Sequence, residues 1–204
     1  MNSIKQIEVI YNNRLVGRLA LTREGLCAFE YSAEWLSSGF SISPFELPLR
    51  SGVFIAKPRP FEGGFGVFDD CLPDGWGLLI LDRYLQQKGI NPRTLTLLDR
   101  LALVGSTGRG ALEFRPDNSV VTRQDFADFE KLALEAEKIL ASDDYMGDGI
   151  EEFQDRGGSP GGARPKIFVR YNDKEWLVKF RAKRDSQSIG VDEYRYSLLA
   201  KECG

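Results

Sequence analysis

The stretch Gly157-Gly-Ser-Pro-Gly-Gly-Ala-Arg-Pro-Lys166 leads into an apolar run from Ile167 to Tyr171, the polar pair Asn172-Asp173, and then Trp176-Leu-Val-Lys-Phe180. A helical run holding Glu193 follows. Glycine loop, strand lysine and helix glutamate, in that order, open a kinase-type nucleotide site. Loop N–H groups cover phosphates, the lysine neutralises them, and the glutamate holds the lysine. Asn172-Asp173 reads as a turn between two strands. In the second strand Leu177 and Lys179 share one face, while Trp176, Val178 and Phe180 share the other. A lysine on such a strand is costly unless paired. Other readings stay open, because the loop is neither a Walker A motif (Lys166 follows Pro165) nor G-x-G-x-x-G. Its composition also fits a flexible surface loop, and Lys179 also fits a charge that guards an edge strand.

Upstream, Ile7, Val9 and Tyr11 alternate, Asn12-Asn13 reads as a turn, and Leu15, Gly17 and Leu19 continue before a run from Leu26 to Tyr31. This pattern predicts a β-meander or small barrel-like sheet. Trp35-Leu36, Ser43-Pro-Phe-Glu-Leu-Pro-Leu49 and the glycine-bearing Phe61 to Asp70 segment read as loops and sheet edges. After Leu72-Pro-Asp-Gly75 a helix is expected, capped by Asp74 and carrying Trp76, Leu79, Ile80, Arg83 and Tyr84. Leu95, Leu98, Leu101 and Ala102 mark another helix, ended by Gly105, and Gly110 to Phe114 a returning strand. A third helix is predicted from Thr122, with Asp125 completing an approximate capping box and Phe126, Phe129, Leu132, Ala133, Ala136, Ile139 and Leu140 on one face. The acidic Ser142 to Gly149 stretch reads as a linker.

Composition narrows the classes. At 204 residues, 42% hydrophobic and 28% charged, the chain can bury one good core or two small ones. A net charge of −3 leaves no basic footprint for nucleic acid or anionic lipid. Residues 151–204 hold eleven Lys and Arg against nine Asp and Glu, a local +2, so the first 150 residues carry −5. The basic surplus therefore lies where phosphates would bind. Three dispersed cysteines (Cys27, Cys71, Cys203) argue against a disulfide framework or zinc site and fit a reducing cytosol. No apolar leader or run of about 18 apolar residues occurs, so a cytoplasmic, non-membrane protein is expected. Histidine is absent, which removes Ser-His-Asp catalysis and His-ligated metals. Asp69-Asp70 and Asp143-Asp144 lack a third ligand at suitable spacing, so no metal is assigned. Trp35, Trp76 and Trp176 read as core or contact aromatics rather than a base-stacking platform.

Several segments together resemble the N-terminal part of the HipA family of toxin kinases of type II toxin-antitoxin systems. They are Leu15-Val-Gly-Arg-Leu19, Phe29-Glu-Tyr-Ser-Ala-Glu-Trp-Leu36, Phe45-Glu-Leu-Pro-Leu49, Phe68-Asp-Asp-Cys-Leu-Pro-Asp-Gly75, Gly110-Ala-Leu, Gly157 to Lys166, Asp192-Glu-Tyr, and Leu199 to Gly204. The resemblance implies an α+β fold: a HipA N-terminal-type domain over 1–116, a helical connector and acidic linker over 117–150, and the beginning of a protein-kinase-like N-lobe over 151–204. It implies that Gly157, Gly158, Ser159, Gly161 and Gly162 form the phosphate loop, that Lys179 contacts ATP phosphates, and that Glu193 is its helix partner. Ser159 falls where family members carry an autophosphorylated serine; it also reads as a plain loop serine.

As a family expectation, the activity is serine/threonine phosphotransfer from ATP with Mg²⁺, directed at aminoacyl-tRNA synthetases and leading to growth arrest or persistence. A HipB-type helix-turn-helix antitoxin is the implied partner, and any operator binding would run through it. The resemblance places the catalytic aspartate and the Mg²⁺ ligands in a C-terminal lobe with no counterpart in these 204 residues. Phosphotransfer by this polypeptide alone is therefore not expected; a split kinase with a separately encoded lobe, or a non-catalytic module regulating a toxin or antitoxin, is the other reading. The small lobe's sheet needs further strands, which predicts an exposed apolar patch in the last 50 residues.

Overall fold

The computed structural model describes residues 4–119, 128–142, 144–157, 162–182 and 184–204. Strand β1 (Gln6–Tyr11) buries Ile7 and Val9 and turns at Asn12-Asn13, whose φ angles of 48° and 60° suit a tight hairpin, into β2 (Arg14–Leu21). β3 (Cys27–Tyr31), β4 (Val53–Ile55) and β5 (Leu112–Arg115) complete an antiparallel sheet in the order β4-β3-β2-β1-β5. The fold is α+β, and the sheet stays open at β4 and β5 rather than closing as a small barrel.

Two short helices occupy segments expected to be loops and edges. In α1 (Ala33–Ser38) the Ser32 hydroxyl accepts from the Trp35 amide, and Trp35 turns into the core. α2 (Gly66–Asp69) drives Phe68 under the sheet. Such one- or two-turn helices have too little periodicity to read from a sequence. The helix α3 (Gly75–Gln87) follows, then a 3-10 turn at Pro92–Thr94 and α4 (Leu97–Val104). Thr96 and Asp99 form a reciprocal capping box at the start of α4, and Gly105 ends it at φ 51°. Asp99 Oδ1 also accepts the Ile4 amide at 3.0 Å, tying the chain start to this helix.

The helix α5 (Phe129–Ala141) starts later than predicted: Asp128 is its N-cap, accepting from the Lys131 amide at 3.0 Å. Thr122, Asp125 and Phe126 lie outside the described residues. α6 (Gly149–Gly157) precedes the hairpin β6 (Lys166–Tyr171) and β7 (Lys174–Lys179), and α7 (Ile189–Cys203) follows.

Two apolar clusters hold the chain. The first joins residues of β1 to β5 with α1, α2 and α4, around Phe29, Phe68, Leu98, Leu101 and Phe114. The second gathers Trp76 and Ile80 of α3, Leu132, Ala136 and Ile139 of α5, Ile150 and Phe153 of α6, Ile167 and Val169 of β6, and Phe180. Thus α3, though flanked in sequence by elements of the first core, sends its tryptophan to the second. The buried Arg83 donates to the Ile139 carbonyl at 2.6 Å, joining α3 to α5. At the far end α7 buries no residue and exposes Val191, Tyr194, Tyr196, Leu198 and Leu199, alongside Trp176 and Leu177 of β7. Apolar side chains are thus exposed in this region, and Trp176, expected to be a core or contact aromatic, is instead 52% exposed, while Trp35 and Trp76 are buried.

Candidate functional site

The hairpin is built by its turn. Asn172 and Asp173 take φ angles of 50° and 58°, the left-handed geometry that short polar side chains tolerate, and this fixes a six-pair register. In that register Ile167 faces Val178 and Lys166 faces Lys179. Ile167 and Val169 are buried in the second core, so the hairpin is anchored by its first strand while β7 lies outward. The ladder continues past Lys179, where the Phe180 amide donates to the Pro165 carbonyl at 2.8 Å. Lys166 and Lys179 thus sit side by side at the open end of the hairpin, where the glycine-rich stretch arrives.

Around them the charges alternate. Lys179 Nζ lies 2.8 Å from Glu193 Oε2, and Arg164 lies 3.2 Å from Glu193 Oε1. Arg164 also reaches Asp185 at 2.9 Å, whose second oxygen accepts the Ala182 amide. The hydrogen bond from Lys179, with the Arg164 charge beside it, holds the Glu193 carboxyl below its usual range. The Ala182 amide and Arg164 do the same for Asp185. Lys166 is different: it is buried, and burial together with the facing Lys179 charge pushes its ammonium below the usual lysine range. The Lys179 and Glu193 side chains are 48% and 39% exposed, so their pair adds little stability. What it does is hold an ammonium in one place beside a second, partly desolvated one.

The glycine loop arrives at this end through Gly162, at φ 90°, a backbone state that favours glycine. A Cβ there would stand 3.1 Å from Lys166 Nζ. Of the residues singled out from the sequence, the structure brings together Gly162, Lys179 and Glu193. Gly157 closes α6 on the other side of the loop, and Gly158, Ser159 and Gly161 lie outside the described residues. Two participants escaped sequence reasoning. Lys166 follows Pro165 and so spells no Walker A motif, yet its register opposite Lys179 is readable from the hairpin turn. Arg164 gave no signal, since its partners lie 21 and 29 residues away.

Asp74 also departs from expectation. It occupies the N-cap position of α3 but makes no side-chain capping bond; its Oδ1 accepts the Gly162 amide at 2.8 Å instead. An open cleft of about 520 Å³ borders this segment, lined by Phe61, Asp69, Asp74, Gly75, Leu97 and Arg100 among others. Its one cation, Arg100, is engaged with Asp82 and the Pro92 carbonyl. Burial and the nearby Glu62 and Asp70 charges raise the Asp69 carboxyl. The cleft's cation is thus already engaged, whereas Lys166 and Lys179 stand together at the hairpin end. Among the described residues no group of three or more His, Cys, Asp or Glu gathers as a metal site, and no helix is long and apolar enough to cross a membrane. The three cysteines are free.

Residues 7–115 match the family model described as the HipA N-terminal domain. No curated protein matches the chain.

Proposed function

Because the chain belongs to the HipA N-terminal domain family, we propose that it forms the amino-terminal part of a HipA-like serine/threonine protein kinase and that its hairpin end holds the phosphates of ATP. One observation carries this reading: Lys179, paired with Glu193 at 2.8 Å, stands in register with the buried Lys166 where the glycine-rich stretch enters the hairpin. A polyphosphate placed there would meet two ammonium groups. Gly157, Gly158, Ser159, Gly161 and Gly162 would supply backbone N–H groups from the loop, and Ser159 is the proposed autophosphorylation site. Phosphoryl transfer in such sites rests on positioning and charge neutralisation. These residues supply the neutralising half; the base and the Mg²⁺ ligands are proposed to come from a C-terminal kinase lobe, in the same polypeptide or separately encoded. An aminoacyl-tRNA synthetase as protein substrate, a HipB-type antitoxin as partner and a cytoplasmic location complete the proposal.

Displacement of a fluorescent ATP analogue by ATP tests it. The wild-type chain should bind, and Lys179→Ala should weaken binding at least tenfold with the fold retained, as expected for losing a charge-assisted contact of about 1.5–3 kcal/mol. Equal affinity in both would sink the assignment of Lys179.

A further inference from the structure

Gly162 is held from both sides by a segment 88 residues earlier in the chain. Its N–H donates to Asp74 Oδ1 at 2.8 Å, and its carbonyl accepts from the Trp76 amide at 3.1 Å. Between these two bonds lies Gly75, at φ 44°, where a Cβ would stand 2.7 Å from the Gly162 carbonyl carbon and 2.9 Å from Ala163 Cα. Real Cβ atoms do not approach backbone so closely, so the contact requires glycine at 75. A Cβ added to Gly162 would stand 3.1 Å from Lys166 Nζ. The arrangement has a local cost. Asp74 stands where a carboxylate ordinarily satisfies the free N–H groups of a helix's first turn, and it forgoes that bond to reach Gly162. Trp76 is buried against Phe153, so its amide cannot move without disturbing the second core.

Resting on the nucleotide reading above, we propose that Asp74 is a positioning residue for the phosphate loop: with the backbone of Gly75 and Trp76 it latches Gly162, and thereby sets how tightly a nucleoside triphosphate is held. Asp74 touches no phosphate in this account. It acts through the Gly162 peptide, which fixes where the loop leaves toward β6 and keeps Lys166 beside it. The latch also makes the HipA N-terminal domain a direct contributor to the nucleotide site.

The test compares Asp74→Ser and Asp74→Asn in the full chain. Serine is a good N-cap, so α3 keeps its start, but its hydroxyl is too short for Gly162; asparagine keeps an acceptor oxygen at the same reach. Asp74→Ser should weaken ATP about tenfold while leaving adenosine affinity unchanged, and Asp74→Asn should restore most of the ATP affinity. Hydrogen exchange at the Gly162 amide should quicken about tenfold in Asp74→Ser, with or without nucleotide. A merely structural Asp74 would shift ATP and adenosine alike and would not be rescued by asparagine. The proposal is overturned if Asp74→Ser leaves ATP affinity and Gly162 exchange as in wild type, or if asparagine fails to rescue. Lys179→Ala separates the two claims. If Lys179→Ala weakens ATP and Asp74→Ser does not, the latch alone fails; if the wild-type chain binds no ATP, the nucleotide reading falls and takes the positioning role with it.

Discussion

Replacing Phe153 by alanine should open the second core and spare the first. Phe153 is fully buried on α6, edge-on to Trp76 at 5.0 Å and to Phe180 at 5.9 Å, so one ring joins α3, α6 and the end of the hairpin. Removing a buried phenylalanine costs about 3–5 kcal/mol, depending on how far the site collapses. Trp76 of α3, Ile150 of α6 and Phe180 just past β7 share its cluster, all stiff or large side chains, so collapse is limited and the upper half of that range applies. A loss of that size is a large share of the 5–15 kcal/mol typical of a whole domain. The first core contains no residue of α3, α5 or α6. Native-state hydrogen exchange followed residue by residue should show protection lost in α3, α5, α6 and β6 and kept in β1, β2 and β3. ATP binding should fail as well, because Ile167 anchors the strand that begins at Lys166. Equal loss of protection in both clusters, or a total effect below about 1 kcal/mol, would refute the division into two cores.

Lys166→Met should cost ATP affinity at least tenfold, because it removes one of the two ammonium groups at the hairpin end. The sign with pH follows: the folded ammonium titrates below 10.5 and the unfolded one at 10.5, so in between the unfolded wild-type chain binds more protons and wild-type stability rises relative to Lys166→Met as pH climbs through that window. Urea melts at pH 7 and pH 10 would read this difference, and a gap that widens against wild type at pH 10 would contradict it. Thr96→Ala should remove about 1 kcal/mol by breaking the capping box of α4, as measured by chemical denaturation. With iodoacetamide at pH 8, the exposed Cys203 should be modified first, whereas Cys71, whose thiol burial pushes up to about 11, should react far more slowly, as peptide mass mapping would show.

The parts of the fold visible in the sequence were those fixed by short-range pattern. Alternating Ile7 and Val9, the paired asparagines at 12 and 13, the helix after Asp74 and the hairpin about Asn172-Asp173 all follow from periods and turn chemistry within about ten residues. Pattern fails where the partner is distant. Asp74 reads as a helix cap because Asp commonly is one; that its carboxylate serves Gly162 depends on a contact across 88 positions. Trp176 reads as a core or contact aromatic, but of β7 only Val178 packs against the second core and Trp176 remains half exposed. Asp128 caps α5, but an Asp ahead of an apolar run carries no local mark that singles it out as the cap. In the site, Lys179 and Glu193 were legible as a motif in order, whereas Lys166 and Arg164 emerge only once the register and α7 bring their charges together.

Backbone amide chemical shifts recorded while ATP is titrated into the chain test the central claim most directly. The account predicts that the largest changes fall on Gly162, Lys166, Lys179 and Glu193, at the end of the hairpin. Changes confined to the Phe61, Asp69 and Leu97 cleft, or none at saturating ATP, would contradict it.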